Sequence, residues 1–544
     1  MTLLDWVVIA VYFSAIVIFA IVRSRSQYDV HDYYLAGRRT RWWQSGVSTM
    51  ATQLGAISFV SAPAFVALKE GGGLKWLCYE FGVPLGILLV MMLILPTLHR
   101  GGYISIYEYL EQRFDRSTRT LVSILFQVGR GLATAVSVLA GGLILSTALP
   151  LTTTEAIILI GAVTIVYDVL GGIRVVILSD VFQMLIIMLG IAICGAAALW
   201  LVGWDAAWHM LSPDRLKILD FKHWGFTPEG EYAFWPMALG GIFLYASYYG
   251  CDQSQVQREL SVGSVREVRK SLLVNAFGRF PVVLSYCLMG VAVGAIFVSP
   301  DFLGQVASKL HTDPTAVAET LRHNPDRMVP MFVLSFLPPG IVGLIFVAVL
   351  SALMSSLDSA INSLSAVTMQ DFYRVYIKPL ATERHYLIVS KILTFFWGVF
   401  CASAALVFIH AGEATRQTTI VLINAVGSLL YGPILAAFIL GMLTRSITSL
   451  YMKVGVLSGI AANVALWQLT EVSWLWWNLA GFGTSVAVAS LLSILCVPRV
   501  VRMFQARRLQ PGQSLPENWK ASYVSVITYF FLIILVAYVI QTVT

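Results

Sequence analysis

Residues 42–67 read WWQSGVSTMATQLGAISFVSAPAFVA. Almost every position is apolar or small, as a membrane-crossing helix requires. Its middle, Ala51-Thr52-Gln53-Leu54-Gly55-Ala56, puts a hydroxyl, an amide and a glycine at mid-depth. Lipid supplies no hydrogen bonds, so weakened polar backbone there belongs where it lines a cavity. A second weakened segment follows at 237–259, MALGGIFLYASYYGCDQSQVQRE, with Gly240, Gly241, Ser247 and Gly250. Two interrupted helices at matching places in two halves suit a transporter built from inverted repeats. The same small residues also suit close helix–helix packing, and either segment alone fits both readings.

Composition sets the solvent. The chain has 544 residues, 58% hydrophobic and only 12% charged, with a mean hydropathy of +0.78. A soluble domain carries about 25% charged residues, so a soluble enzyme, a disordered chain and a nucleic-acid-binding module are excluded. The net charge of +7 then belongs to loops on one side of a bilayer. The six cysteines show no metal-ligand spacing and no loop clustering, which predicts neither a disulfide framework nor a zinc site.

Segments of about 20 apolar residues number fourteen, near 4–22, 43–68, 74–97, 118–148, 154–172, 176–203, 234–252, 268–298, 330–366, 386–411, 416–443, 448–469, 475–496 and 521–542. Loops on one side hold 23 Lys and Arg, among them Arg25, Arg258, Arg499, Arg502, Arg507 and Arg508; the other side holds nine, including Arg416. That asymmetry predicts both termini outside. Within spans remain Arg130, Arg279, Lys391 and Lys453; the two lysines are expected to snorkel to the inner surface.

The ninth span contains VAVLSALMSSLDSAINSLSAVTMQDFYRVYI, residues 347–377. Ala352, Ser355, Ser356 and Ser359 share one helical face, Ser363 extends it, and Asp358 lies beside it. Hydroxyls and free carbonyls are hard ligands that suit a small hard cation such as sodium. A seam of back-bonded serines between helices would show the same spacing.

These stretches, with Tyr34-Leu35-Ala36-Gly37, Trp42-Trp43, Tyr107-Glu108-Tyr109-Leu110-Glu111, Gly171-Gly172-Ile173, Ser179–Gln183 and Gln255-Val256-Gln257-Arg258, resemble the sodium/solute symporters, the family of sodium–glucose, sodium–iodide, sialic-acid and proline transporters. The resemblance runs in order from about residue 30 to 450. It implies an all-α, leucine-transporter-like fold of inverted five-helix repeats with flanking helices, about fourteen spans in one membrane transport domain. Residues 1–42 would be the first flanking span and loop, 43–203 the first repeat, 234–443 the inverted repeat and 448–544 the C-terminal flank. It implies sodium-coupled import of a small polar solute by alternating access. An uncoupled or proton-coupled facilitator and a transporter-like sensor are the alternatives; an enzyme is not expected. The implied partners are a small-molecule substrate, one or two sodium ions and the bilayer, a plasma membrane such as a bacterial inner membrane. No nucleic acid and no obligatory protein partner are implied.

By the same resemblance the main sodium site falls on the carbonyls of Ala51, Leu54 and Ala352 and the hydroxyls of Ser355 and Ser356. A second, found in some members, falls on Asp180, Ser355, Asp358 and Ser359. Those members usually carry Ser or Thr at the position of Asp358. Gln53, Gly55, Ser58, Glu80, Arg130, Tyr245, Tyr248 and Arg279 fall on solute positions. Gly55 lacks the hydroxyl of sialic-acid transporters, and Tyr245 replaces the asparagine of sugar transporters, so neither specificity is copied. An arginine within a membrane is a functional candidate by default, and its planar fork suits a carboxylate. Arg130 is therefore a candidate anion ligand, with Glu80 or Asp180 as the structural partner otherwise expected. The two arginines favour a sugar acid, sialic acid or other organic acid over a neutral sugar.

Overall fold

A computed structural model describes residues 1–24, 29–409, 419–496 and 519–543. Arg25, Arg416, Arg499, Arg502, Arg507 and Arg508 of the charge pattern lie outside them. The elements around the centre are α1 (Leu3–Ser24), α2 (Trp42–Gln53), α3 (Ala56–Ala67), α4 (Arg116–Ala148), α5 (Thr153–Val202), α6 (Gly241–Cys251), α7 (Gln253–Leu260), α8 (Val265–Val298), α9 (Ile341–Val367), α10 (Glu383–Ile409) and α11 (Thr419–Leu443).

Among the described residues, eleven helices are long and apolar enough to cross a membrane, or twelve with α2 and α3 joined as one span bent by 54°. The expected segments map onto these with two differences. The fifth and sixth follow one another without a loop as α5, two helical stretches joined across a kink at Gly172. At 1.5 Å per residue its 50 residues hold about 75 Å of helix, over twice the hydrocarbon thickness, which is enough for two crossings divided at that kink. The seventh segment is a short π-turn, Pro236–Gly240, followed by α6. The ninth span also starts later than expected. Pro338, Pro339 and Gly340 break the run at 330–366, and α9 begins at Ile341, because proline removes a helical donor.

Gly172 adopts φ 56°, ψ −168°, a region essentially reserved for glycine. A Cβ there would lie 2.7 Å from the Tyr33 carbonyl. Gly172→Ala is therefore expected to cost about 1–3 kcal/mol, read as a lower thermal midpoint. An unchanged midpoint would show that the turn relaxes freely.

Helix α9 is the hub. It packs against α1, α2, α3, α4, α5, α7 and α10. Its serines bond back to their own turn: Ser355 and Ser356 to the Ala352 carbonyl, Ser359 to that of Ser355, Ser363 to that of Ala360. Its N-terminal end is held from α1. The buried Asp5 carboxylate accepts the N–H of Gly340 at 2.7 Å and of Gly343 at 2.9 Å, where a helix start favours negative charge. At the other end Arg119 of α4 donates to Asp371 at 2.5 Å, beside Ser105 and Ser123. Lys453 reaches Ser117 at 2.6 Å, and Lys391 lies over the Tyr33 ring.

Candidate cation and solute site

Helix α2 stops at Gln53. Leu54 has φ −89°, ψ 64°, and Gly55 is extended before α3 begins. The first donors of α3, Ser58 and Phe59, both bond to the Gly55 carbonyl at 2.8 and 3.3 Å, so the new helix bypasses the carbonyl of Leu54. The serine face of α9 lies against this break. Ser355 Oγ is 3.3 Å from the Ala51 carbonyl oxygen and 3.2 Å from that of Ala352. Ser356 Oγ donates to the carbonyls of Thr52 at 3.0 Å and Ala352 at 3.3 Å. A Cβ on Gly55 would lie 3.1 Å from Ser356 Oγ. Ala51, Ala352, Ser355 and Ser356 thus share one cluster, with Leu54 in the break beside it. Thr52 joins it, which the family pattern did not supply. Neutral carbonyl and hydroxyl oxygens are the donor set a small hard cation takes. The serine seam and the oxygen cluster are the same object.

The second set is differently occupied. Arg258, placed with the inner loops by charge counting, is 1% exposed. Its guanidinium reaches Asp180 Oδ2 at 3.2 Å, donates to Ser48 Oγ at 2.7 Å and donates to Ser359 Oγ. Asp358 accepts from the Tyr167 hydroxyl at 2.5 Å and from Ser359 at 3.1 Å. Asp180, Asp358 and Ser359 therefore do form one buried network, with an arginine between two of them. The tyrosine and the arginine were not anticipated as its members; the arginine in Gln255-Val256-Gln257-Arg258 was visible, but its burial was not.

All eight expected solute residues line one cavity of about 150 Å³: Gln53, Gly55, Ser58, Glu80, Arg130, Tyr245, Tyr248 and Arg279. Ser356 of the oxygen cluster lines it too. Glu80 and Arg279 form a forked pair, Nε to Oε2 at 2.9 Å and Nη2 to Oε1 at 3.3 Å. The Tyr245 hydroxyl donates to Glu80 at 3.2 Å. Arg130 is different: its partner is neither Glu80 nor Asp180 but Asp252, at a loose 3.7 Å, with the Tyr248 ring 5.7 Å away. Asp252 stands between α6 and α7 (φ −93°, ψ 118°) and accepts from the Ser254 N–H and hydroxyl at 2.8 and 2.6 Å. The second helix break therefore lies at Asp252, beyond the glycines that suggested it. An aspartate with a glutamine three residues on, Asp252 and Gln255, is an N-cap signal, and it was legible. Gln53 Nε2, Arg130 Nε and Arg279 Nη1 are buried donors without a hydrogen-bond partner among the described residues.

A family model described as the sodium:solute symporter family matches residues 33–460. The chain belongs to this family. Its members are transporters. The chain is 28% identical to the human sodium/iodide cotransporter over 81% of its own length and 64% of that protein. It is 27% identical to human sodium-coupled monocarboxylate transporter 1 over 95% and 82%, and 26% identical to the Vibrio parahaemolyticus sodium/glucose cotransporter over 85% and 84%. It spans slightly under two thirds of the iodide cotransporter and of the Xenopus laevis monocarboxylate transporter 1, at 64% and 66%. A solved substrate-bound, outward-open sialic acid symporter superposes with a TM-score of 0.77 at 23% identity, over 91% of this chain and 99% of that one. That likeness shows the fold: all-α, leucine-transporter-like, with discontinuous helices at its centre.

Proposed function

We propose that the chain is a sodium-coupled symporter of a small organic anion, a short monocarboxylate fitting best. The observation that carries this is a cavity whose unpartnered buried polar atoms include three N–H donors, on Gln53, Arg130 and Arg279, with the oxygen cluster on its wall. Buried donors left unpaired are costly, and a carboxylate supplies acceptors to all three. The cavity is small beside the roughly 300–1,000 Å³ of drug-sized sites, which favours a few-carbon acid over a sialic acid. The names of the iodide and monocarboxylate relatives point to anions. A neutral sugar is the second reading, because Glu80 already neutralises Arg279.

Sodium at Ala51, Leu54, Ala352, Ser355 and Ser356 would join α9 to the break between α2 and α3. Closing that break tightens the solute site, and by reciprocity solute tightens sodium. Alternating access then releases both inside. One sodium per cycle is the reading; a second at Asp180, Ser355, Asp358 and Ser359 would have to displace the Arg258 guanidinium. The loop charge pattern supports both termini outside a plasma membrane, and the paired helix breaks support inverted repeats at 43–203 and 234–443.

Thermal unfolding of purified protein in sodium or choline, with propionate, lactate, iodide, sialic acid or glucose, tests this. A ligand at about 100 times its Kd adds about 2.7 kcal/mol to the folded state. Stabilisation by a monocarboxylate only in sodium is the expected result. Stabilisation by glucose alone would favour the second reading, and no effect of sodium with any solute would overturn both.

A further inference from the structure

Arg130 lines two cavities. One is the solute cavity; the other is a pocket of about 20 Å³ formed with Ser247, Cys251, Asp252, Tyr431 and Ile434. The second has room for a water molecule but not for an organic solute. Arg130 and Tyr431 belong to both linings and form the partition. The two arginines of the solute cavity are held differently. Arg279 is closed by a forked bond to Glu80. Arg130 meets Asp252 at 3.7 Å, beyond hydrogen-bond length, and its Nε has no partner among the described residues. The Asp252 carboxylate is buried at 4% exposure and anchored by Ser254, not by Arg130.

We propose that Asp252 is a resident counter-ion that competes with the anionic solute for Arg130. This rests on the anion reading above. When the cavity is empty, Arg130 leans on Asp252, and the membrane interior holds no unpaired guanidinium, whose cost is high. When an anion enters, Arg130 turns to it across the partition. Leaving, the anion is replaced by Asp252. The aspartate thus weakens binding, speeds release and lets the empty carrier return.

Asp252→Asn tests this, because asparagine caps α7 as well as aspartate does and only the charge is lost. Asp252→Ser, an equally good cap, is the second variant. Both are measured in sodium with propionate, lactate and iodide. The expected result is a solute Kd about ten-fold lower, since Arg130 is no longer sequestered. Net uptake, which needs the empty carrier to return, should fall about ten-fold while exchange of internal for external anion is kept. Thermal midpoints without solute report folding. A Kd unchanged in both variants, or uptake and exchange falling together, overturns the counter-ion role while leaving the anion reading intact. Wild-type protein that binds none of these anions overturns the anion reading and this proposal with it.

Discussion

Ser355→Ala combined with Ser356→Ala will lower apparent sodium affinity about 100-fold, some ten-fold for each oxygen removed, where ten-fold is about 1.4 kcal/mol. The two hydroxyls lie within 3.3 Å of the Ala51, Thr52 and Ala352 carbonyls. Removing both leaves carbonyls on α2 and α9 with nothing to join them through a cation. Sodium titrations of solute uptake and of thermal stability should move together. Ser363→Ala is the control: its hydroxyl also bonds back, to the Ala360 carbonyl at 2.9 Å, but it lies two turns further along α9, away from the break. Ser355→Thr and Ser356→Thr retain the oxygen and should keep most of the affinity. A double alanine variant with wild-type sodium dependence would remove this cluster from consideration as the coupling site.

Glu80→Ala will destabilise the protein by about 3–5 kcal/mol, the usual penalty for leaving one member of a buried ion pair alone. Glu80 is 1% and Arg279 6% exposed. The guanidinium would keep its charge in a cavity with no other carboxylate bonded to it, and Tyr245 would lose its acceptor. Because Glu80→Ala removes volume as well as pairing, the near-isosteric Glu80→Gln isolates the pairing, and Glu80→Gln with Arg279→Gln should recover much of the stability that Glu80→Ala removes. A double-mutant cycle on thermal midpoints measures the coupling directly. Additive effects would mean that the two side chains do not depend on each other, contrary to their 2.9 Å contact. The two arginines also differ in degree: Arg279 is largely held by Glu80 with one donor to spare, whereas Arg130 has, among the described residues, no ion-pair contact within hydrogen-bond length.

The parts legible in the sequence are those carried by spacing and by polarity out of place. Ala352, Ser355 and Ser356 announce a helical face by their intervals. Gln53 and Gly55 announce a break because lipid tolerates neither an exposed amide nor a weakened helix. Arg130 and Arg279 stand out because charge within a span needs a reason. What was not legible depends on which helix meets which. Nothing local to Arg258 says that it is buried against Asp180 and Ser359 from other helices. Likewise Tyr167 and Asp358 are 191 residues apart, and Arg130 finds Asp252 rather than Glu80 or Asp180 only because α4 passes the gap between α6 and α7. The seventh segment differs for another reason: hydropathy sees apolar length, and Pro236–Gly240 winds as a π-turn ahead of a short α6. Of the glycines in the seventh segment, Gly240 and Gly241 mark the junction of the π-turn with α6, whereas α6 runs through Gly250 unbroken, packed against Val90 and Ile94.

The grip of Asp5 on the N-terminal end of α9 sets a timetable for synthesis. Its two partners, Gly340 and Gly343, come 335 and 338 residues later in the chain. A ribosome adding about 5–20 residues each second needs roughly 20 to 70 s to reach them. Throughout that interval the Asp5 carboxylate keeps its bonds from Thr2 but lacks the two backbone donors at the start of α9. An early-made helix is in this sense locked late, because the bond that ties α1 to the start of α9 forms only after Gly340 and Gly343 have been made.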